Sequence, residues 1–108
     1  VGVDGGDGDN TPTPAEAEFN ANYGLGMINV TSAYDRASTG TGTLVAVADT
    51  GIDTDHADLI GRFSGGYNAF TTATGSAAAE DDAATSHGTF VSGIIAATKN
   101  STGVHGVA

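Results

Sequence analysis

The sequence predicts an α/β domain with a mostly parallel sheet flanked by helices, and three features carry that prediction. Leu44-Val45-Ala46-Val47-Ala48 is apolar throughout and ends at Asp49, the pattern of a strand buried on both faces. Phe90, Val91, Ile94, Ile95 and Thr98 recur at helical spacing, which predicts a helix packed on that strand. Glycine supplies 17 of 108 residues, favouring tight turns and close backbone approaches over long helical bundles.

Residues 1–14 are mostly Gly, Asp, Thr and Pro. They offer almost nothing to bury and read as a flexible acidic leader. The spacing in Asp4-Gly5-Gly6-Asp7-Gly8-Asp9 fits neither an EF-hand nor a nonapeptide calcium repeat. From Ala15 to Val30 the chain gains Phe19, Tyr23, Leu25, Met27 and Ile28, enough to dock on a domain surface. Thr31 to Ser38 reads as a short helix capped by Thr31 or Ser32 and stopped by Gly40 and Gly42. The apolar strand follows.

Gly61 to Ala84 reads mainly as loop, with Tyr67-Asn68-Ala69-Phe70 a candidate short strand and Thr71 to Ala84 a surface excursion. The next helix starts near His87 with Thr85 or Ser86 as its cap. Its small residues Gly88, Ser92, Gly93, Ala96 and Ala97 leave room for close packing. Asn100 to Gly103 reads as a turn, and Val104 to Ala108 as the entry to another strand. Both termini read as cut: no export signal is visible, and the chain starts Val1-Gly2 without Met.

Composition excludes several classes of function. The net charge of −10, from 13 acidic and 3 basic side chains, argues against nucleic acid or an anionic membrane surface as a partner, since both are held through Lys and Arg. No stretch approaches the roughly 20 apolar residues of a membrane span. Cysteine is absent, so neither disulfides nor thiol chemistry is in play.

Two segments carry chemistry. In Val45-Ala46-Val47-Ala48-Asp49-Thr50-Gly51-Ile52-Asp53 a carboxylate stands just past the end of a buried strand, where open α/β sheets place their ligand sites. On its own, an Asp there is equally a turn residue bonding its own backbone. In Ser86-His87-Gly88-Thr89-Phe90-Val91-Ser92-Gly93 the imidazole falls in the first turn of a helix. The partial positive charge of a helix N-terminus disfavours an imidazolium unless a carboxylate compensates.

Together these segments resemble the subtilase family of serine proteases. Asp49-Thr50-Gly51-Ile52-Asp53 is similar to the family's aspartate signature, and His87-Gly88-Thr89-x-Val91-x-Gly93 to its histidine signature, in the family's order. The resemblance runs from about Tyr23 to Ala108, with Thr71 to Ala84 unmatched. It implies that residues 15–108 are the N-terminal part of a subtilisin-like three-layer peptidase domain, ending before the nucleophilic serine. By the same resemblance His87 is the general base, Asp49 the carboxylate that orients it, and Gly88 and Gly93 are steric. No serine stands in the family's Gly-Thr-Ser context; Ser76 precedes an Ala run instead. The chain alone is therefore expected to hydrolyse nothing. Its partners would be the remainder of the protease domain and protein or peptide substrates.

The resemblance also implies a structural Ca²⁺ site. Asp58 and Asn100 would give side-chain oxygens, and Thr98, Thr102 and Val104 backbone carbonyls, an all-oxygen set suited to Ca²⁺. The family's N-terminal amide ligand has no clear counterpart, Asn20 being nearest. Asp53, Asp55 and His56 lie close by in sequence, and Ala57 replaces a family proline. The family further implies a secreted or cell-surface bacterial protein, and an acidic leader ahead of a protease domain resembles autotransporter proteases. Two rival readings remain: a non-catalytic passenger or binding module with a degenerate protease fold, and a metallohydrolase site built from Asp49, Asp53, Asp55, His56, Asp58 and His87. The second is disfavoured because His87 has no partner His one turn on.

Overall fold

The computed structural model describes residues 1–4, 17–34, 36, 40–82 and 84–108. Among them, the elements follow in the order β1 (Gly2–Asp4), α1 (Ala17–Ala21), α2 (Tyr23–Met27), α3 (Val30–Tyr34), β2 (Leu44–Ala46), β3 (Phe63–Gly65), α4 (Ser76–Ala79) and α5 (His87–Ala96). The architecture is α/β. No helix among the described residues is long and apolar enough to cross a membrane.

The sheet differs from expectation. Its three strands run in the order β2-β1-β3, and both pairings are antiparallel, with Val3 opposite Val45 on one side and opposite Phe63 on the other. The cause lies in the first residues of the chain. Gly2–Asp4 belong to the stretch read as a flexible leader, yet a ladder needs only backbone N–H and C=O groups, and this short segment supplies them without an apolar side-chain pattern. Val1 extends the pairing: its amino group donates to the Val47 carbonyl at 2.9 Å, and Val47 N–H donates to the Val1 carbonyl at 2.6 Å. The rest of the leader, 5–14, lies outside the described residues.

The apolar run is buried on one face only. Val47 is buried and Val45 half-buried, while Leu44 is 65% exposed and Ala46 is exposed as well. That alternation is the period of two expected when one face is covered. The covering element is α5. Val47, Ile52, Leu59, Ala79 and Ala96 form the principal core, with Val1, Val45, Phe63, Val91 and Ile95 packed around it. A smaller cluster of Phe19, Leu25 and Val30 joins Tyr34 and Val107.

Helix α5 begins at His87 and turns its small residues inward. Gly88, Ser92 and Ala96 are buried, one turn apart, whereas Phe90 is 68% and Ile94 44% exposed. The small stripe is thus the buried side of α5, with Gly88 seated against the Gly51 turn, and the two large residues read as core-facing point outward. Gly93 also departs from its steric role, since a Cβ there would meet nothing within 4 Å.

Other elements shift for local reasons. Helix α3 starts at Val30, preceded by Asn29 at φ 55°, so Thr31 and Ser32 fall inside its first turn; 35 and 37–39 lie outside the described residues. Tyr67 forms a single bridge with Thr74 rather than a strand, because Asn68 folds the chain over: its Oδ1 accepts the N–H groups of Phe70 at 2.9 Å and Thr71 at 3.0 Å. The expected excursion contains α4, whose Ala79 is buried and accepts the Ile52 N–H at 2.8 Å. Val104 to Ala108 is no strand. Gly106, Val107 and Ala108 donate to the carbonyls of Ala97, Ile94 and Ile95 at 3.0, 3.0 and 2.8 Å, satisfying acceptors that a helix C-terminus leaves free.

Candidate active site

Buried Val47 anchors the end of β2, and the chain emerges two residues later at Asp49. It then turns at Gly51, whose φ of 143° is open only to glycine. A Cβ at Gly51 would sit 2.7 Å from backbone atoms of Ala79, Glu80 and Asp81, and a Cβ at Gly88 would overlap the Gly51 carbonyl oxygen. Two glycines thus let the first turn of α5 rest directly on the turn after β2.

That contact brings Asp49 and His87 together. His87 Nδ1 lies 2.8 Å from Asp49 Oδ1 and 2.9 Å from Oδ2. Asp49 Oδ1 also accepts the Thr50 N–H at 2.7 Å. The His87 bond, followed by the Thr50 N–H, holds the Asp49 carboxyl below its ordinary value. The Asp49 side chain is 17% exposed and that of His87 65%, so the imidazole is the more open of the two.

The start of α5 is held by Asp81. Ser86 occupies the N-cap position at φ 44° but makes no side-chain cap bond. Instead Gly88 N–H donates to Thr50 Oγ1 at 3.0 Å, and Thr89 N–H donates to Asp81 Oδ2 at 2.8 Å. The Thr89 hydroxyl donates to the same oxygen and the Thr50 hydroxyl to Asp81 Oδ1, each at 2.6 Å. Burial pushes the Asp81 carboxyl up, but the hydrogen bonds from Thr50 and Thr89 outweigh it and its value is lowered. Sequence reasoning assigned Asp81 to a surface excursion. The available signal was an acid a few residues ahead of a helix start whose nearest Ser and Thr lie in a tight turn.

The residues expected around calcium also meet. Asp58 is buried; its Oδ1 accepts Asn100 Nδ2–H at 3.0 Å and its Oδ2 the Val104 N–H at 3.3 Å. The Asp58 carbonyl accepts the Thr98 N–H at 2.7 Å. Thr102 donates to Asn100 Oδ1 from its N–H at 3.0 Å and its hydroxyl at 2.6 Å. Asn20 is exposed; the N-terminal residue that reaches this loop is buried Glu18, whose Oε1 accepts the Asn100 N–H at 3.0 Å. An acid inside an apolar docking helix was the sign of it. His56 Nδ1 accepts the Asp58 N–H at 3.2 Å, and Asp53 is held by the Thr89 hydroxyl rather than by Asp49 or His87. Among the described residues no three His, Asp or Glu side chains gather closely enough to hold a metal.

The sequence model of the Subtilase family matches residues 40–108. The chain belongs to the subtilase family. Similar proteins include Fervidolysin of Fervidobacterium pennivorans, 41% identical over 81 residues covering 75% of this chain and 12% of its own. The Intracellular serine protease of Paenibacillus polymyxa is 44% identical over 82 residues, covering 76% of this chain and 24% of its own. The Extracellular protease of Xanthomonas campestris pv. campestris is 43% identical over 105 residues, covering 75% and 18%. This subtilase chain therefore spans a quarter or less of the length of those relatives. No solved structure gives a significant match.

Proposed function

We propose that the full-length polypeptide is a subtilisin-like serine endopeptidase that cleaves peptide bonds with Asp49, His87 and a serine supplied by chain beyond residue 108. The observation that carries this reading is the 2.8 Å approach of His87 Nδ1 to Asp49. A carboxylate at Nδ1 keeps the proton on that nitrogen and leaves the lone pair on Nε2. Nε2 is then free to take the serine hydroxyl proton as the oxygen attacks the scissile carbonyl, and to return it to the leaving amine. Asp49 holds the ring's orientation through both steps and stabilises the imidazolium between them, which offsets the unfavourable field of the helix N-terminus.

The exposed apolar surface supports the remainder of the protease domain as a partner. Leu44 on the outer sheet face, Ile60, and Phe90 on the outer side of α5 are each between 64 and 68% exposed. Tyr23, Ile28, Phe90, Ile94 and Val104 line a hollow of about 750 Å³. Large apolar groups gathered this way mark surfaces meant to be covered. Further chain on both faces would complete a three-layer arrangement and add strands beside β2, which lies at the edge of the sheet among the described residues.

We also propose a structural Ca²⁺ at the Asp58 loop, a reading supported by the convergence of Asp58, Asn100 and Glu18 there. Glu18 and Asp58 are both buried carboxyl groups bonded to Asn100, and oxygen donors gathered in this way suit Ca²⁺. Asp58 and Glu18, with the oxygens of Thr98, Asn100, Thr102 and Val104, would hold it. Its contribution would be to tie α1, the loop after β2 and the loop after α5 into one unit. Export to the cell exterior is likewise part of the proposal, supported by the extracellular Xanthomonas relative. The similar Paenibacillus protein is named intracellular, so family membership does not dictate compartment, and fractionation of the producing cells decides it.

The central test uses the full-length polypeptide. Peptide hydrolysis should be abolished by a serine-directed phosphonyl reagent and by His87→Ala. Full activity in the His87→Ala protein would overturn the assignment, and a wild-type protein that neither hydrolyses peptides nor takes up the reagent would indicate a non-catalytic passenger module.

A further inference from the structure

We propose that Asp81 is a positioning residue for hydrolysis, setting the Asp49–His87 geometry by clamping the two threonines that flank the pair; the inference rests on the protease reading above. Thr50 follows Asp49 directly, and Thr89 lies two residues after His87. Asp81 accepts both hydroxyls at 2.6 Å and the Thr89 N–H at 2.8 Å. Each threonine passes the constraint onward. Thr50 Oγ1 accepts the N–H of Gly88, next to His87, at 3.0 Å, and Thr89 Oγ1 accepts the Asp53 N–H at 2.8 Å.

One carboxylate thus closes two bridges between the turn carrying the carboxylate partner and the helix carrying the base. Asp81 touches neither Asp49 nor His87, so it acts through position alone. Helix α5 has no side-chain cap of its own at Ser86; Thr50 and Asp81 take up the N–H groups of Gly88 and Thr89 in its first turn instead. Bonds to an ionised acceptor are roughly twice as strong as neutral ones, which suits a clamp closing on hydroxyls and an N–H. Misplacing a catalytic group by about 1 Å can cost about 100-fold in rate, so a clamp of this kind acts on turnover more than on substrate binding.

The experiment compares Asp81→Ala and Asp81→Asn with wild type in the full-length polypeptide, well below the melting temperature. Asp81→Ala should lower kcat by about 10- to 100-fold with KM within about twofold. It should also weaken or abolish the downfield NMR resonance of the proton held between His87 Nδ1 and Asp49. Asp81→Asn keeps one acceptor for Thr89 and should lose less of each. A purely structural role would lower Tm but leave kcat and the resonance unchanged, and that result overturns the inference. If Asp81→Ala fails to fold, Asp81→Asn and Thr50→Val give the same readouts, Thr50→Val removing one bridge without altering charge. An inactive wild-type protein defeats the protease reading instead, and the NMR signal then decides by itself whether Asp81 orders the pair.

Discussion

Gly88 lies so close beneath the carbonyl of Gly51 that no side-chain carbon could be placed between them. The contact is backbone on backbone, and neither partner can move aside as a flexible side chain would. Gly88→Ala should therefore destabilise the protein by about 1–3 kcal/mol and lower activity by tilting His87 from Asp49. Gly26→Ala is the control: it lies in α2, and a Cβ there meets nothing within 4 Å. It should be neutral or stabilising by up to about 1 kcal/mol. Urea unfolding midpoints of the two variants check the contrast.

Asp49→Asn tests what the carboxylate does beyond holding the ring. The amide nearly preserves shape but can present its NH₂ to Nδ1, which favours the wrong tautomer and removes the charge that supports an imidazolium. In the full-length polypeptide kcat should fall about 10⁴-fold with a small change in KM. A loss below tenfold, measured by steady-state peptide hydrolysis, would mean that the bond to His87 is not catalytic.

The parts of this architecture legible in sequence were those fixed by local chemistry. The apolar run into Asp49 and the helix starting at His87 each follow from composition and periodicity among neighbouring residues. The inward face of α5 was not legible. Phe90 and Ile94 lead by hydrophobicity, yet Gly88, Ser92 and Ala96 are the buried side, Gly88 because it seats on the Gly51 backbone, a neighbour far away in sequence. Strand direction was hidden for a similar reason: β1 pairs through main-chain groups that no side-chain pattern announces. Asp81 and Glu18 escaped because each acts on a partner distant in the chain, Thr50 in one case and Asn100 in the other.

Acid should loosen the site in a defined direction. Asp49 and Asp81 both titrate below the ordinary 3.8 of an aspartate in the folded state. For a depressed carboxyl the unfolded chain binds protons first, so the stabilisation is complete above the unfolded value and is lost as pH falls through the folded one. Tm should hold steady from pH 7 to about 5 and drop below about 4. In Asp81→Asn part of that drop should vanish, because one of the two groups no longer titrates. Equal acid sensitivity in both proteins, followed by circular dichroism, would mean that the Asp81 hydrogen bonds contribute nothing to it.

Calcium dependence is the prediction most separable from catalysis. Glu18 on α1, Asp58 after β2 and Asn100 after α5 are joined by hydrogen bonds, so an ion held there would restrain three segments far apart in sequence. A ligand that binds only the folded state stabilises it by about 2.7 kcal/mol at a hundred times its Kd. Adding calcium to chelator-treated full-length protein should raise Tm by several degrees, an effect of about 2–4 °C per kcal/mol in a domain of 150–250 residues. Asp58→Asn and Glu18→Gln should each reduce the rise, and magnesium should substitute poorly because it demands a tighter, near-octahedral oxygen set. Gly103 supplies an internal check: its φ of 62° and the Asp58 carboxylate beside it leave no room for a Cβ, so Gly103→Ala should blunt the calcium response as well. A Tm that chelation leaves unchanged, in a protein that still hydrolyses peptides, would remove calcium from this loop while leaving the Asp49–His87 assignment intact.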